Sequence, residues 1–505
     1  MEQLSGNDSL FLFQERGNNF NHISALGIYD PSSAPGGKVR FKQILAHFER
    51  RLGTSPVFRR RLLRAPMDID RPYWMEDPSV DTEFHVRHIA LPAPGDWRQL
   101  MIQVARLHSR PLDFSKPLWE IYVIEGLDHI PNLPTGSFAI FMKFHHASLD
   151  GQAAAAVIGA VHSISADADL PLTTQEVIYA DRDPSQMELY AKVIGNTARR
   201  MINLAKLSAE TAGIAANLGM QGIKRKLGGD AAPQEALFKP VPTTRFDADI
   251  SPHRVVEVVA LPFADMKRIR DRIAGATIND IFLAVSGGAL RAYLKSKNEL
   301  PVASLRALMP ISLRPDSTGK TGNDVTGLSV ALRSDLADPV ERLFAVHNDV
   351  RATKEQADAM GADLLPRMLG HLPNFAADQI MRLALVKQIN AAVSNVKGPS
   401  RPLFVAGARA VSLYPVSVIT DGVGVNLTGF SYNETLWISL VSCRAIMPDP
   451  GFFADCVRQE FADLIAAAGA YQAEPAVKAA PKPKARAVPK PKAAAKPAPR
   501  ARKNA

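Results

Sequence analysis

The strongest constraint on how this chain can fold is the run Phe138-Ala139-Ile140-Phe141-Met142-Lys143-Phe144, which leads directly into His145-His146-Ala147-Ser148-Leu149-Asp150-Gly151. A short apolar and aromatic run of this kind reads as a buried strand. Gln152 to Ile164 follows, rich in Ala, Val and Ile, and reads as a helix. Strand, short loop and helix form the grammar of α/β proteins, which carry polar groups at the carboxyl ends of their strands.

The rest of the chain divides around this unit. Residues 1–183 read as mixed helix and strand. Ser185 and Glu188 have the spacing of a capping box that opens a helix. Tyr190, Val193, Ile194, Met201, Leu204 and Ala205 then recur at helical spacing, with basic residues between them. This is an amphipathic connector over 184–240, closed by Gly228-Gly229 and three prolines. A second domain is expected over 241–468. It contains a long buried helix from Thr277 to Leu294. It also contains a hairpin in which Val423, Val425 and Leu427, then Leu436, Ile438 and Leu440, flank the turn Asn433-Glu434. Residues 469–505 are Lys/Pro/Ala repeats that cannot bury a core and are expected to be disordered.

The net charge of +10 suggests a nucleic-acid binder until the charges are located. Ten of the sixty basic residues lie after Val477 with no acid among them, so the body carries fifty against fifty. A DNA-sized field on the fold is excluded and no specific nucleic-acid partner is expected. Two cysteines, Cys443 and Cys456, exclude a disulfide framework and a multi-thiolate metal site. The first residues have neither a basic n-region nor an apolar h-region, and the longest apolar stretch, Ala153 to Val161, is about half of what a spanning helix needs. A cytoplasmic location is expected, with any membrane contact made at the surface.

Several chemistries fall away. Gly319-Lys320-Thr321 resembles the end of a phosphate-binding loop, but Arg314 stands where its first glycine belongs. Gly429-Phe430-Ser431-Tyr432-Asn433 lacks the last glycine of a nucleophile elbow. The signal that survives is His145-His146-x-x-x-Asp150-Gly151. A neutral imidazole is well poised to take a proton near pH 7, and a strand end holds it rigidly. Asp150 suits either an orienting role or a cap on the following helix, and Gly151 permits a tight turn. A pair of core histidines satisfied by carbonyls fits the same spacing. A two-histidine metal site does not, because adjacent residues of a strand point to opposite sides and no third ligand is near.

His-His-x-x-x-Asp-Gly after an apolar strand resembles the CoA-dependent acyltransferase superfamily. The remaining motifs resemble its bacterial wax ester synthase/diacylglycerol acyltransferase family. They are Pro111-Leu112-Asp113 with Pro117-Leu118-Trp119-Glu120, Phe84-His85-Val86-Arg87-His88 with Leu91-Pro92-Ala93-Pro94-Gly95, and Thr277-Ile278-Asn279-Asp280. Pro310-Ile311-Ser312-Leu313-Arg314-Pro315, Ser394-Asn395-Val396-Lys397-Gly398-Pro399 and Tyr414-Pro415-Val416-Ser417 complete the set, collinear over nearly all of residues 1–465. Lys397 stands where that family usually has proline. Glu434 stands where glycine is common, although glutamate tolerates positive φ poorly.

The resemblance implies an α/β fold of two chloramphenicol-acetyltransferase-like domains with mixed sheets and flanking helices, and an active-site tunnel between them. His146 would be the general base that deprotonates the hydroxyl of diacylglycerol or a long-chain alcohol as it attacks acyl-CoA, with no acyl-enzyme. His145 and Asp150 would support the geometry, beside Gly151. Asn279 and Asp280 would lie near the channel, although by themselves they also suit a helix cap, and Trp119 suits packing. No cofactor is implied, since acyl-CoA is a substrate. Insoluble acceptors imply contact with the inner membrane or lipid inclusions. The alternatives are a carrier-bound acyl donor, or a non-catalytic lipid-body protein.

Overall fold

The computed structural model describes residues 1–149, 151–167, 182–203, 205–206, 241–312, 325–360, 372, 379–380 and 386–471. Asp150, Leu204, the connector from 207 to 240, Leu313-Arg314-Pro315, Gly319-Lys320-Thr321 and the tail beyond Tyr471 lie outside the described residues.

The N-terminal half contributes β1 (Glu2–Gln3), α1 (Gly6–Phe13), β2 (His22–Asp30), α2 (Phe41–Leu52), β3 (Arg60–Leu63), β4 (Tyr73–Glu76), α3 (Thr82–His85), β5 (Val86–Ala90), α4 (Trp97–His108), β6 (Trp119–Glu125), β7 (Phe138–His145) and α5 (Gly151–Val161). The expected strand and helix around the histidines are β7 and α5. Residues 186–203 form α6, opened by the expected box: the Glu188 N–H donates to Ser185 Oγ and the Ser185 N–H to the Glu188 carboxylate. The C-terminal half adds β8 (Arg254–Pro262), α7 (Phe263–Arg272), α8 (Ile278–Ser296), β9 (Arg306–Ser312), β10 (Val325–Ala331), α9 (Pro339–Met360), β11 (Ala391–Lys397), β12 (Phe404–Val405), β13 (Ala408–Val416), β14 (Asn426–Tyr432), β15 (Thr435–Cys443) and α10 (Pro450–Ala470).

Two six-stranded mixed sheets organise these elements, in the orders β12-β13-β2-β7-β6-β5 and β10-β9-β11-β14-β15-β8. A small sheet, β1-β4-β3, stands beside the first. All eight residues of β7 are buried, because it has strands on both edges and both its faces are covered. On one face Phe141 joins a core shared with α4, α8 and β8. On the other, Ile140 and Met142 pack with Phe48 of α2 and Val157 of α5.

β12 and β13 lie in the C-terminal half of the sequence but pair in the N-terminal sheet. β13 runs antiparallel to β2 from Arg409↔Asp30 to Val416↔Ser24, with a bulge between Ala410 and Ser412. Tyr432 at the end of β14 fixes this crossover: its hydroxyl donates to the Ala410 carbonyl at 3.0 Å and accepts the Leu403 N–H at 2.9 Å.

The long helix and the hairpin turn stand where the sequence places them, although β14 starts only at Asn426, so Val423 and Val425 precede the strand, and Thr277 is the cap of α8 rather than its first residue. Thr277 caps α8 by accepting the Asp280 N–H, and Asp280 accepts the Thr277 N–H in return, a complete capping box. The glycines inside α8 are explained by close approach, since a Cβ on Gly287 would stand 2.1 Å from the Leu332 carbonyl oxygen. β14 and β15 pair from Tyr432↔Thr435, leaving Asn433 and Glu434 as a two-residue turn with φ of +46° and +60°. Glutamate does occupy a left-handed position here.

Candidate active site

β7 ends at His145, and the two histidines that close it have opposite surroundings. His145 is fully buried. Its Nδ1 accepts the Ala147 N–H at 3.0 Å, so its proton sits on Nε2, which donates to Glu15 Oε1 at 3.1 Å. Both ring nitrogens are therefore engaged in structure. His146 is half-buried, and its ring stacks on Phe11 with centroids 4.0 Å apart and planes 8° from parallel. Its backbone N–H donates to the Asn21 carbonyl at 2.7 Å.

The elements behind this corner come from the first twenty-two residues. Asn21 donates through Nδ2 to the Phe11 carbonyl at 2.6 Å and through its N–H to Glu15 at 2.7 Å. Asn21 thus links the platform under His146, the carboxylate on His145 and the backbone of His146. Phe11, Glu15 and Asn21 carry no local motif. They reach the site because His22 of β2 pairs with His145 of β7, more than a hundred residues away.

Two residues before His145, on the same face, Lys143 is fully buried. Its ammonium donates to Glu120 at 3.0 Å and to the carbonyls of Leu107 and Arg110 at 3.2 and 3.1 Å, at the carboxyl end of α4. Burial lowers its pKa and Glu120 opposes the shift. Arg87 holds the other side of Glu120 at 3.2 Å. The arrangement is a buried ion pair with its remaining donors satisfied, which fixes α4 against β7.

Trp119 serves packing, as its motif suggested. It is fully buried, its indole N–H donates to the Phe58 carbonyl at 3.0 Å, and His85 stacks on it at 4.2 Å.

Gly151 opens α5 directly after the short turn that follows β7. A Cβ there would meet Val396 Cγ2 of β11 at 3.0 Å, so close packing against the C-terminal sheet explains the glycine. Asp150 lies outside the described residues.

α8 packs on the face of β11 that carries Val393, opposite the face of Val396 that meets α5. At the start of α8, Asn279 does not cap the helix; its Nδ2 approaches Met309 Sδ at 3.4 Å. Asp280 is buried, completes the capping box and accepts His347 Nδ1 of α9 at 2.9 Å. The two halves therefore bring their motifs to opposite faces of one strand.

Among the described residues, no group of three or more His, Cys, Asp or Glu side chains is placed to hold a metal ion, and no helix is long and apolar enough to cross a membrane.

Comparison with known proteins agrees with this architecture. Residues 4–282 match the wax ester synthase/diacylglycerol acyltransferase catalytic domain, and residues 321–465 match the C-terminal domain of the same family. Two Mycobacterium tuberculosis proteins named as diacylglycerol O-acyltransferases are similar. One is 29% identical over 92% of this chain and 90% of its own length. The other is 32% identical over 87% of this chain and 94% of its own. Among solved structures, the wax ester synthase/diacylglycerol acyltransferase of Marinobacter aquaeolei VT8 superposes with a TM-score of 0.65 at 25% identity, covering 93% of this chain and all of that one. The starter condensation domain of rhizomide synthetase shares the fold alone, with a TM-score of 0.54 at 12% identity over 93% of this chain and 94% of its own. On these matches, spanning both halves, the chain belongs to the wax ester synthase/diacylglycerol acyltransferase family and is an O-acyltransferase.

Proposed function

We propose that His146 is the general base of acyl transfer from acyl-CoA to the hydroxyl of diacylglycerol or a long-chain alcohol. The observation that carries the assignment is the contrast at the end of β7: His145 is sealed in structure through both nitrogens, while the half-buried His146 stands on Phe11. His146 takes the hydroxyl proton as the oxygen attacks the thioester carbon. The carbon–sulfur bond breaks, and the proton passes to the departing CoA thiolate. His145, Glu15 and Asn21 are positioning residues in this scheme.

Direct attack needs both substrates bound together and no cofactor. The cysteines support this route. Cys443 and Cys456 are both buried, and burial pushes the Cys456 thiol up to about 11, away from a reactive thiolate.

The test is His146→Ala with palmitoyl-CoA, offering hexadecanol and diacylglycerol separately and following thiol release. Loss of a general base lowers turnover by about a hundredfold or more with both acceptors. A folded variant that keeps wild-type turnover overturns the assignment.

A further inference from the structure

β2 and β13 pair as far as Val416↔Ser24. Five residues beyond that pair in each segment, the two halves of the chain meet again, at Asn19 and Asp421. Asn19 is buried; its Nδ2 donates to Asp421 Oδ2 at 2.8 Å, and its Oδ1 accepts the Asp421 N–H at 3.1 Å. The other carboxylate oxygen of Asp421 accepts the Ile250 N–H at 2.9 Å. A carboxylate only accepts, so the Asn19 amide has one orientation in which both bonds form.

Each partner sits on a tight turn. The Asn19 N–H donates to the Arg16 carbonyl at 2.9 Å around Gly17, whose φ is +57°. Thr420 and Val423 exchange backbone hydrogen bonds at 3.2 and 2.9 Å around Gly422, whose φ is +82°. Asn18 joins the same contact. Its Nδ2 donates to the Ile250 carbonyl at 3.1 Å, and its own carbonyl accepts the buried guanidinium of Arg254.

The loop held in this way is the one that furnishes the histidine corner. It joins α1 to β2 and carries Glu15 on one arm and Asn21 on the other. Glu15 accepts His145 Nε2 and the Asn21 N–H, and the Asn21 carbonyl accepts the His146 N–H. Holding the two halves together does not call for another tie here, because β2 and β13 already pair along nearly their whole lengths. What the contact adds is a fixed tip for this loop, made from the opposite half. Hydrogen bonds to a carboxylate are the stronger kind.

We propose that Asp421 is a positioning residue for acyl transfer. Through Asn19 it fixes the loop that carries Glu15 and Asn21, and so sets the ring of His145 and the backbone of His146 from the C-terminal half. The proposal rests on His146 being the base, so its test also reads the hold on His146 apart from turnover.

Three variants of the full chain make the test. N19A cuts the clasp and leaves the bond between Asp421 and Ile250 in place. D421N sets two amide donors against each other. N19D/D421N exchanges carboxylate and amide, which restores every bond with the roles reversed. Amide exchange in the segment containing His146 is followed by mass spectrometry. Turnover of palmitoyl-CoA is measured with hexadecanol and with diacylglycerol, below each variant's melting temperature. N19A and D421N are expected to speed exchange at the His146 amide by about tenfold or more and to lower kcat by about tenfold or more with both acceptors. KM for palmitoyl-CoA stays within about twofold, and N19D/D421N recovers both exchange and kcat. A tie that served stability alone would lower the melting temperature and leave kcat of the folded protein unchanged. The proposal is overturned if N19A folds with wild-type exchange at His146, or keeps wild-type kcat where His146→Ala is inactive. It is also overturned if N19D/D421N recovers the melting temperature without kcat, or if neither single variant folds, which would make the clasp a folding element. If N19A speeds exchange while both it and His146→Ala keep wild-type kcat, the general-base reading fails and the hold on the corner stands.

Discussion

Mild acid is expected to unfold this protein from the junction between its two halves. His47, His108 and His162 are buried, and each uses one ring nitrogen as donor and the other as acceptor. His47 donates to the Val161 carbonyl at 2.8 Å and accepts the Ala406 N–H at 3.3 Å. His108 donates to the Ser417 carbonyl and accepts the Ser24 hydroxyl, both at 3.0 Å. His162 donates to the Ile158 carbonyl at 2.6 Å and accepts the Tyr29 hydroxyl at 2.7 Å. A second proton breaks the bond that His47 accepts from Ala406, forces the hydroxyl partners of His108 and His162 to turn, and in each case places a charge in the core. Burial accordingly lowers the three pKa values to about 4, about 3 and about 4.

Folded values below the ordinary 6.5 mean that the unfolded chain takes up protons first. Stability is thus fully present above pH 6.5 and is lost as pH falls from there towards the folded values. At pH 5 each group costs about 2 kcal/mol relative to neutral pH, and the three together cost about 6 kcal/mol. That is comparable to the whole stability of an ordinary domain, about 5–15 kcal/mol. Asp247 and Glu460, whose carboxyls burial pushes up, act in the opposite direction and offset part of the loss. Urea unfolding followed by tryptophan fluorescence between about pH 8 and about pH 5, at fixed ionic strength, measures the slope. His162→Gln should remove the share of one such histidine, about 2 kcal/mol at about pH 5. A stability that stays flat down to about pH 5, or a slope that His162→Gln leaves untouched, refutes the reasoning.

Two further substitutions test the local arguments. Glu15→Ala leaves the His145 and Asn21 donors without their acceptor, so it is expected to cost about 2–3 kcal/mol in urea unfolding and to lower turnover, with Glu15→Gln recovering most of both. Glu434→Gly relieves a left-handed glutamate while losing only the exposed Lys267 pair at 2.9 Å. It is expected to raise stability by about 0.5 kcal/mol with turnover unchanged, and a loss of stability would show that the ion pair outweighs the strain.

What the sequence made legible was local. The β7–α5 unit, the capping box at Ser185 and the turn at Asn433-Glu434 are each set by residues within a few positions of one another. The apolar spacing of the connector was also legible, but not which stripe would be buried. Leu189 and Val193 win because Asp70 recruits Asn196 and Arg200 on the same side, and that partner lies more than a hundred residues earlier. The tight turn at Gly151 was legible, but not its second constraint, because only the folded chain brings Val396 against it. Phe11, Glu15 and Asn21 were invisible for the same cause: nothing in their neighbourhood announces a site until β2 pairs with β7.

The crossover strand shows why the site depends on both halves. β2 is held on one edge by β7, which carries the histidines, and on the other by β13, which arrives from beyond residue 400. Asn21, which fixes the backbone of His146, immediately precedes β2. Without β13, β2 would become an edge strand, and the residue that positions His146 would hang from it. Tyr29 of β2 also donates to His162 at the end of α5, and His47 of α2 accepts the Ala406 N–H in the β12–β13 turn. The same imidazoles that make the fold sensitive to acid therefore hold the crossover in place. Protonating them should loosen the support behind His146 before the buried centre of β7 gives way.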